Sequence, residues 1–263
     1  MADSGVVFKP KFENKVAIVT GGCQGIGRGC VDVLAANGGK VAVIDIDDDT
    51  GETLKTDGPG QILFVHCDLV KEDDIKAAIH TVISKFGKID CLVNNAGWHP
   101  PASSIDGFSA EDFRQLLDLN LVAYFLTSKY ALPYLRQSSG NIVNISSAVA
   151  ICGQADAVTY TTTKGGIIAM TKALAIDEAK HGVRVNAISP GSTWTPLLEK
   201  LLKPIDDKEA EVARYEGQSL LRRLGDAREI GKACLFLATD ATYTTGENLS
   251  CSGGMEVGFG QKC

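Results

Sequence analysis

The chain has 263 residues, 44% of them hydrophobic and 22% charged, with a net charge of −6 and an isoelectric point near 5.3. That size suits one α/β domain with a substantial core, and the acidic balance argues against a general nucleic-acid surface. No apolar run is long enough to span a bilayer and residues 1–14 lack the apolar centre of a secretory signal, so a cytosolic protein is expected.

Short β-branched runs alternate with helical patterns along nearly the whole chain. Lys15 to Thr20 is the first strand, followed by a helix from Gly25 to Asn37 that stops at Gly38-Gly39. Val41 to Ile46 and Ile62 to Cys67 are the second and third strands. Lys71 to Phe86 has helical periodicity and is closed by Gly87 before a fourth strand, Ile89 to Asn94. A long helical pattern, Ala110 to Arg136, leads to a fifth strand, Asn141 to Ser146. A helix over Val158 to Ala179 precedes the sixth strand, Val183 to Ile188. Ala227 to Ala238 is a further helix and Glu247 to Cys251 the last strand. Strands that are apolar throughout, joined by helices, imply a seven-stranded parallel sheet flanked by helices on both faces. The expected architecture is a single doubly wound α/β domain of Rossmann type, with its ligand at the carboxyl ends of the strands. Residues 192–225, with Pro196, Pro204 and an acidic-basic cluster, form the one irregular stretch and are expected to be a substrate lid within that domain.

The eight cysteines are scattered, with no Cys-x-x-Cys, which favours buried thiols over disulfides or a zinc site. His66, His80 and His181 have no ligand spacing, so no metal is expected.

Gly21, Gly25 and Gly27 lie between the first strand and the first helix, where glycines allow a tight turn and a close approach of backbone to a pyrophosphate. Glycines also serve plain turns, but Asp45 points the same way. It ends the second strand roughly 20 residues past the loop, where a carboxylate accepts hydrogen bonds from an adenosine ribose. The same carboxylate repels a 2′-phosphate, and Ile46, Asp47 and Asp48 bring no cation; the cofactor expected is NAD over NADP. Tyr160 and Lys164 are four apart in the expected helix, so they share one face. An ammonium beside a phenol favours the phenolate and lowers its proton affinity, which makes the pair an acid/base group for an alcohol oxygen.

These pieces together resemble the short-chain dehydrogenases/reductases. The resemblance is carried by Thr20-Gly21-x-x-x-Gly25-x-Gly27, Asp68-Leu69, Asn94-Asn95-Ala96-Gly97, Asn120, Ser147, Tyr160-x-x-x-Lys164 and Pro190-Gly191, and it covers essentially the full length. Asn94 to Pro101, Phe113 to Leu117 and Trp194 to Leu197 are similar to a subgroup that acts on 17β-hydroxysteroids and L-fucose. The resemblance implies an NAD-dependent alcohol dehydrogenase, cytosolic and homotetrameric, with residues 247–263 at a subunit contact. Tyr160 would be the acid/base, Lys164 would hold the nicotinamide ribose and lower the Tyr160 pKa, and Ser147 would hydrogen-bond the substrate oxygen. Asn120 would sit in a helix distortion and hold a water linking Lys164 to solvent; a polar residue satisfied inside a helix is the other reading. Asp68 and Leu69 would touch the adenine, Asn95 the adenosine side, and Thr193 and Thr195 the nicotinamide carboxamide, with Gln24, Ile26 and Ile46 as lesser contacts. His99 and Gln154 are candidate substrate residues, each with a surface-loop reading beside it. Trp98 and Trp194 are pocket walls or packing anchors.

The residues oppose two rival functions. A NADPH-dependent reductase of small carbonyls is opposed by Asp45 and its acidic neighbours. A dinucleotide-binding regulator without catalysis has no physical need for Ser147, Tyr160 and Lys164 together. Leu197, Leu198, Leu201 and Leu202 suit a steroid, whereas His99, Gln154 and Trp194 suit a sugar.

Overall fold

A computed structural model describes residues 10–257; Cys263 and the last part of the expected subunit contact, residues 258–263, lie outside them. Seven strands form one sheet: β1 (Val16–Thr20), β2 (Lys40–Asp45), β3 (Gln61–His66), β4 (Cys91–Asn94), β5 (Asn141–Ile145), β6 (Arg184–Pro190) and β7 (Asn248–Cys251). Their order is β3-β2-β1-β4-β5-β6-β7, and every pair is parallel. The order reverses between β1 and β4, which opens a crevice at the carboxyl ends of those strands.

The helices are α1 (Gly25–Ala36), α2 (Asp48–Gly51), α3 (Glu72–Phe86), α4 (Ala110–Leu117), α5 (Ala123–Ser138), α6 (Val149–Cys152), α7 (Val158–Glu178), α8 (Pro196–Leu202), α9 (Lys208–Gly217) and α10 (Ala227–Thr239). The placement of β1 explains why its sequence is apolar from Val16 to Val19. Ala17 and Val19 point into the core beneath α1 and α10, while Val16 and Ile18 enter the second core beneath α3, α5 and α7. A strand covered on both faces has no solvent side to mark with polar residues. α1 and α10 meet backbone to backbone, since a Cβ on Gly29 would lie 2.3 Å from the Ala227 carbonyl oxygen.

The helical run over residues 110–136 is not one regular helix. Asp118–Val122 takes a π turn between α4 and α5, inserting one extra residue and turning Asn120 fully inward. The stretch expected to be irregular, 192–225, instead carries α8 and α9. Thr195 caps the first by accepting from Leu198 N, and Asp207 caps the second by accepting from Ala210 N. The single-turn helices α2 and α6 were not expected, and the other differences are shifts of one or two residues at element ends.

Polar groups between the sheet and the helices are paired. Asn94 Nδ2 donates to Asn144 Oδ1 at 2.9 Å and to Ser128 Oγ at 3.1 Å, and Asn144 Nδ2 donates to Thr171 Oγ1 at 2.9 Å. Arg136 on α5 grips Glu178 at the end of α7 with two bonds, 2.8 and 2.7 Å, and the Glu178 side chain is 5% exposed. The bonds from Arg136 hold the Glu178 carboxyl below its ordinary value of 4.5, so the pair contributes stability above that pH and loses it as the carboxyl protonates below it. Arg136→Met should cost about 1–3 kcal/mol in urea unfolding at neutral pH, because it strands a buried carboxylate. The double variant with Glu178→Met should recover most of the loss. Equal stability of the single variant and the native chain would rule this out.

Candidate active site

The glycine loop follows β1 directly. Gly21 and Gly25 have φ of +64° and +56°, a region that L side chains resist. A Cβ on Gly27 would meet the Gly21 carbonyl oxygen at 2.1 Å, so the loop closes only without a side chain there. Gln24 is the exposed N-cap of α1 and makes no side-chain capping bond, which leaves the first-turn N–H groups of a twelve-residue helix open to an anion. Asp45, at the end of β2, is oriented by three backbone donors: Cys23 N at 2.9 Å, Ile46 N at 2.8 Å and Asp47 N at 3.2 Å. Ile46 beside it is 62% exposed, an apolar surface next to that carboxylate. This cradle fits a dinucleotide.

The remaining candidate cofactor residues surround the same crevice. Asn95 donates from Nδ2 to Thr20 O and Gly21 O, both at 3.0 Å, and so pins the loop after β4 to the glycine loop. Asp68 accepts from Val70 N in its own turn, while Leu69 is buried in the core beneath α3. Ile26 packs against the other core. Thr195 lies beside Gly25, 3.4 Å from where a Cβ would stand, but its hydroxyl is the cap of α8. Thr193 is buried and donates to the Gly191 carbonyl at 3.0 Å. Both threonine hydroxyls are thus engaged within the loop itself.

Ser147 follows β5, and Tyr160 and Lys164 stand one turn apart on α7. The Ser147 hydroxyl lies beside the Tyr160 phenol and draws its pKa down, but burial dominates and pushes the phenol up to about 12. Burial also drives the Lys164 ammonium down to about 7. The expected lowering of Tyr160 by Lys164 is not what this arrangement produces. Lys164 Nζ donates to the Ile145 carbonyl at 3.0 Å and stands 5.8 Å from the Tyr160 ring centroid, and the phenol answers to burial and to Ser147.

Asn120 lies in a helix distortion, as the resemblance implies, and its side chain is paired there. Its Oδ1 accepts from Trp98 N at 3.0 Å, and its Nδ2 donates to Trp98 O at 3.0 Å and to Thr163 Oγ1 at 3.3 Å. The side chain is used as a clamp on the loop after β4. The π turn is what aims it there. The clamp in turn places His99, whose ring centroid is 4.2 Å from that of Tyr160. His99 Nδ1 faces the Pro100 carbonyl at 2.5 Å and must carry the proton to bond it, which leaves Nε2 a buried acceptor with no partner among the described residues. Gln154 is exposed in the loop before α7, and Trp194 is half-exposed, with its indole N–H on Glu199. Of the four leucines, Leu198 and Leu202 are buried beneath α8, and Leu197 is the most open at 38%.

Sequence reasoning missed Tyr124. It is buried behind Lys164 and donates to the same Ile145 carbonyl at 3.1 Å. Its spacing of four from Asn120 was the available signal. Among the described residues, no three His, Cys, Asp or Glu side chains gather to hold a metal, and no helix is long and apolar enough to cross a membrane.

A doubly wound parallel sheet, a glycine cradle at its switch point and a Ser-Tyr-Lys group across the crevice define a dinucleotide-dependent oxidoreductase. A family model described as enoyl-(acyl carrier protein) reductase matches residues 21–256. An L-fucose dehydrogenase from Bos taurus is 45% identical over 252 residues, covering 96% of this chain and 93% of that protein. The ligand-free aldohexose dehydrogenase of Thermoplasma acidophilum superposes with a TM-score of 0.87 at 32% identity, over 97% of this chain and 98% of that one. A 3-ketoacyl-(acyl-carrier-protein) reductase from Brucella melitensis, complexed with NADH, superposes with a TM-score of 0.85 at 30% identity, over 94% and 100%. The chain belongs to the short-chain dehydrogenase/reductase family, whose cofactor is a nicotinamide dinucleotide.

Proposed function

We propose that this protein is an NAD-dependent sugar dehydrogenase that oxidises L-fucose or a close relative at a secondary or hemiacetal hydroxyl. The observation that carries the reading is the partnerless Nε2 of His99, stacked against Tyr160. A buried acceptor without a donor costs about 1–3 kcal/mol, and a second hydroxyl next to the reacting one would satisfy it. A steroid has no such neighbour for its 17β-hydroxyl. Burial of Leu198 and Leu202 also takes two of the four leucines out of a steroid wall. The 45% identity to an L-fucose dehydrogenase supports the same substrate class.

In this reading, Gly21, Gln24, Gly25, Ile26 and Gly27 hold the diphosphate on the N-terminus of α1. Asp45 and Ile46 hold the adenosine ribose, and Asp68, Leu69 and Asn95 line the adenine side. Thr193 and Thr195 border the nicotinamide through their loop, and Lys164 holds its ribose. When bound, the dinucleotide supplies the hydride acceptor. Ser147 and Tyr160 position the substrate hydroxyl, and Tyr160 removes its proton as the carbon–hydrogen bond is broken. Asn120 keeps the loop of Trp98 and His99 in register with Tyr160. Residues 192–225 act as the lid, and the assembly is a cytosolic homotetramer.

The test is kcat/KM for L-fucose and for 17β-estradiol on one preparation, each with NAD and with NADP. A value larger for the sugar and for NAD is expected. Preference for estradiol would replace the sugar reading, and equal efficiency with NADP would remove Asp45 as the selector.

A further inference from the structure

Tyr124, at 1% exposure, is among the largest fully buried side chains and lies against Lys164. It opens α5 immediately after the π turn, one turn beyond Asn120. Its phenol donates to the Ile145 carbonyl at 3.1 Å, and Lys164 Nζ donates to that same carbonyl at 3.0 Å. The ammonium also stands 5.5 Å from the Tyr124 ring centroid and 5.8 Å from that of Tyr160. Two aromatic faces and one shared carbonyl therefore surround a cation that is 4% exposed.

Such a cation is costly to keep. Burial alone favours the neutral amine, and no carboxylate is paired with Lys164 among the described residues. The groups that face it are neutral: Tyr160 on α7, Tyr124 on α5, the Ile145 carbonyl on β5, and the Gly97 backbone after β4, whose Cβ position is 3.8 Å from Nζ. His99 sits against the Tyr160 ring and is the nearest other titratable group. An aromatic face attracts an ammonium most strongly when water is excluded, as it is here. The second donor on the Ile145 carbonyl also fixes the direction of that oxygen, which gives Lys164 one anchor point.

We propose that Tyr124 is a positioning residue for Lys164, using its ring face and the shared Ile145 carbonyl to keep the ammonium charged and anchored behind Tyr160. This rests on the reading of Lys164 as a cofactor-holding residue. Tyr124 touches neither substrate nor cofactor and acts only through Lys164.

The test is NAD binding by calorimetric titration on the full chain, from about pH 6 to 9, for the native protein, Tyr124→Phe, Tyr124→Leu and Lys164→Met. Native affinity should fall as Lys164 loses its proton with rising pH. Tyr124→Leu should move the midpoint of that fall down by about half a unit to one unit, the range a desolvated cation–ring contact supports. Tyr124→Phe keeps the ring and should return the midpoint most of the way to native, and it also serves should the leucine variant fail to fold. Lys164→Met should abolish the pH dependence; if it does not, the role of Lys164 itself is wrong. If Lys164→Met is flat but both Tyr124 variants keep the native midpoint, or shift it equally, the ring is not the agent and the proposal is overturned.

Discussion

Tyr160→Phe should reduce kcat on the order of 1000-fold while NAD binding stays within about twofold of native, since loss of a positioned acid/base costs 100- to 10,000-fold. The substitution removes one oxygen and keeps the ring, so the contact with His99 and the aromatic face toward Lys164 both survive. What it deletes is the only hydroxyl that combines contact with Ser147 and a place on the same helix face as Lys164. The pH dependence follows from the same atom. Because burial holds the phenol near 12, far above neutrality, the deprotonated form needed for oxidation is scarce and grows with pH. Oxidation should therefore quicken from about pH 7 to 9, whereas reduction, which needs the protonated phenol, should not. Steady-state rates in both directions with a bound-NAD titration check this. Turnover retained in the phenylalanine variant would mean that another group moves the proton.

Gly27→Ala is the second large effect. The added methyl would lie 2.1 Å from the Gly21 carbonyl oxygen and 2.5 Å from Asn95 Nδ2. Neither neighbour has room to give. Gly21 is held by its own N–H on Ile44 O at 2.8 Å, and its carbonyl already accepts from Asn95. The strain should cost about 1–3 kcal/mol, as overpacking does elsewhere. Relieving it requires the loop to leave its cradle shape, and converting that energy into lost binding lowers NAD affinity by about 10- to 100-fold. Thermal unfolding with and without NAD separates the two parts. Native NAD affinity in a folded Gly27→Ala protein would mean that the dinucleotide does not use this loop.

Much of the fold was legible because its signals are local. The strands Val16–Thr20 and Asn141–Ile145 are buried at every position and carry apolar side chains on both faces, a pattern that a doubly covered sheet gives. Gly87 ends α3 in a left-handed turn, as its place after Phe86 announced. The region 192–225 was less legible. Its prolines read as breakers, yet Pro196 occupies the first turn of α8, where a missing N–H costs nothing.

The site divides in the same way. Gly21, Gly25 and Gly27 carry their meaning in backbone geometry, and Tyr160 and Lys164 in a spacing of four, so neither needs the rest of the chain. The partners of those residues come from elsewhere. Asn120 meets Trp98 across 22 residues, Lys164 meets the Ile145 carbonyl across 19, and Arg136 meets Glu178 across 42. Periodicity could not announce the π turn that aims Asn120, because one inserted residue leaves the apolar pattern on either side intact. The sequence by itself determined the sheet, the cradle and the placing of Tyr160 and Lys164 on one helix face, all of which follow from conformational preference and spacing within a turn or two. The tertiary structure decided which way Lys164 points, what Asn120 holds, and that Tyr124 stands behind both. Those outcomes depend on how buried polar groups share a few acceptors at contacts between distant elements.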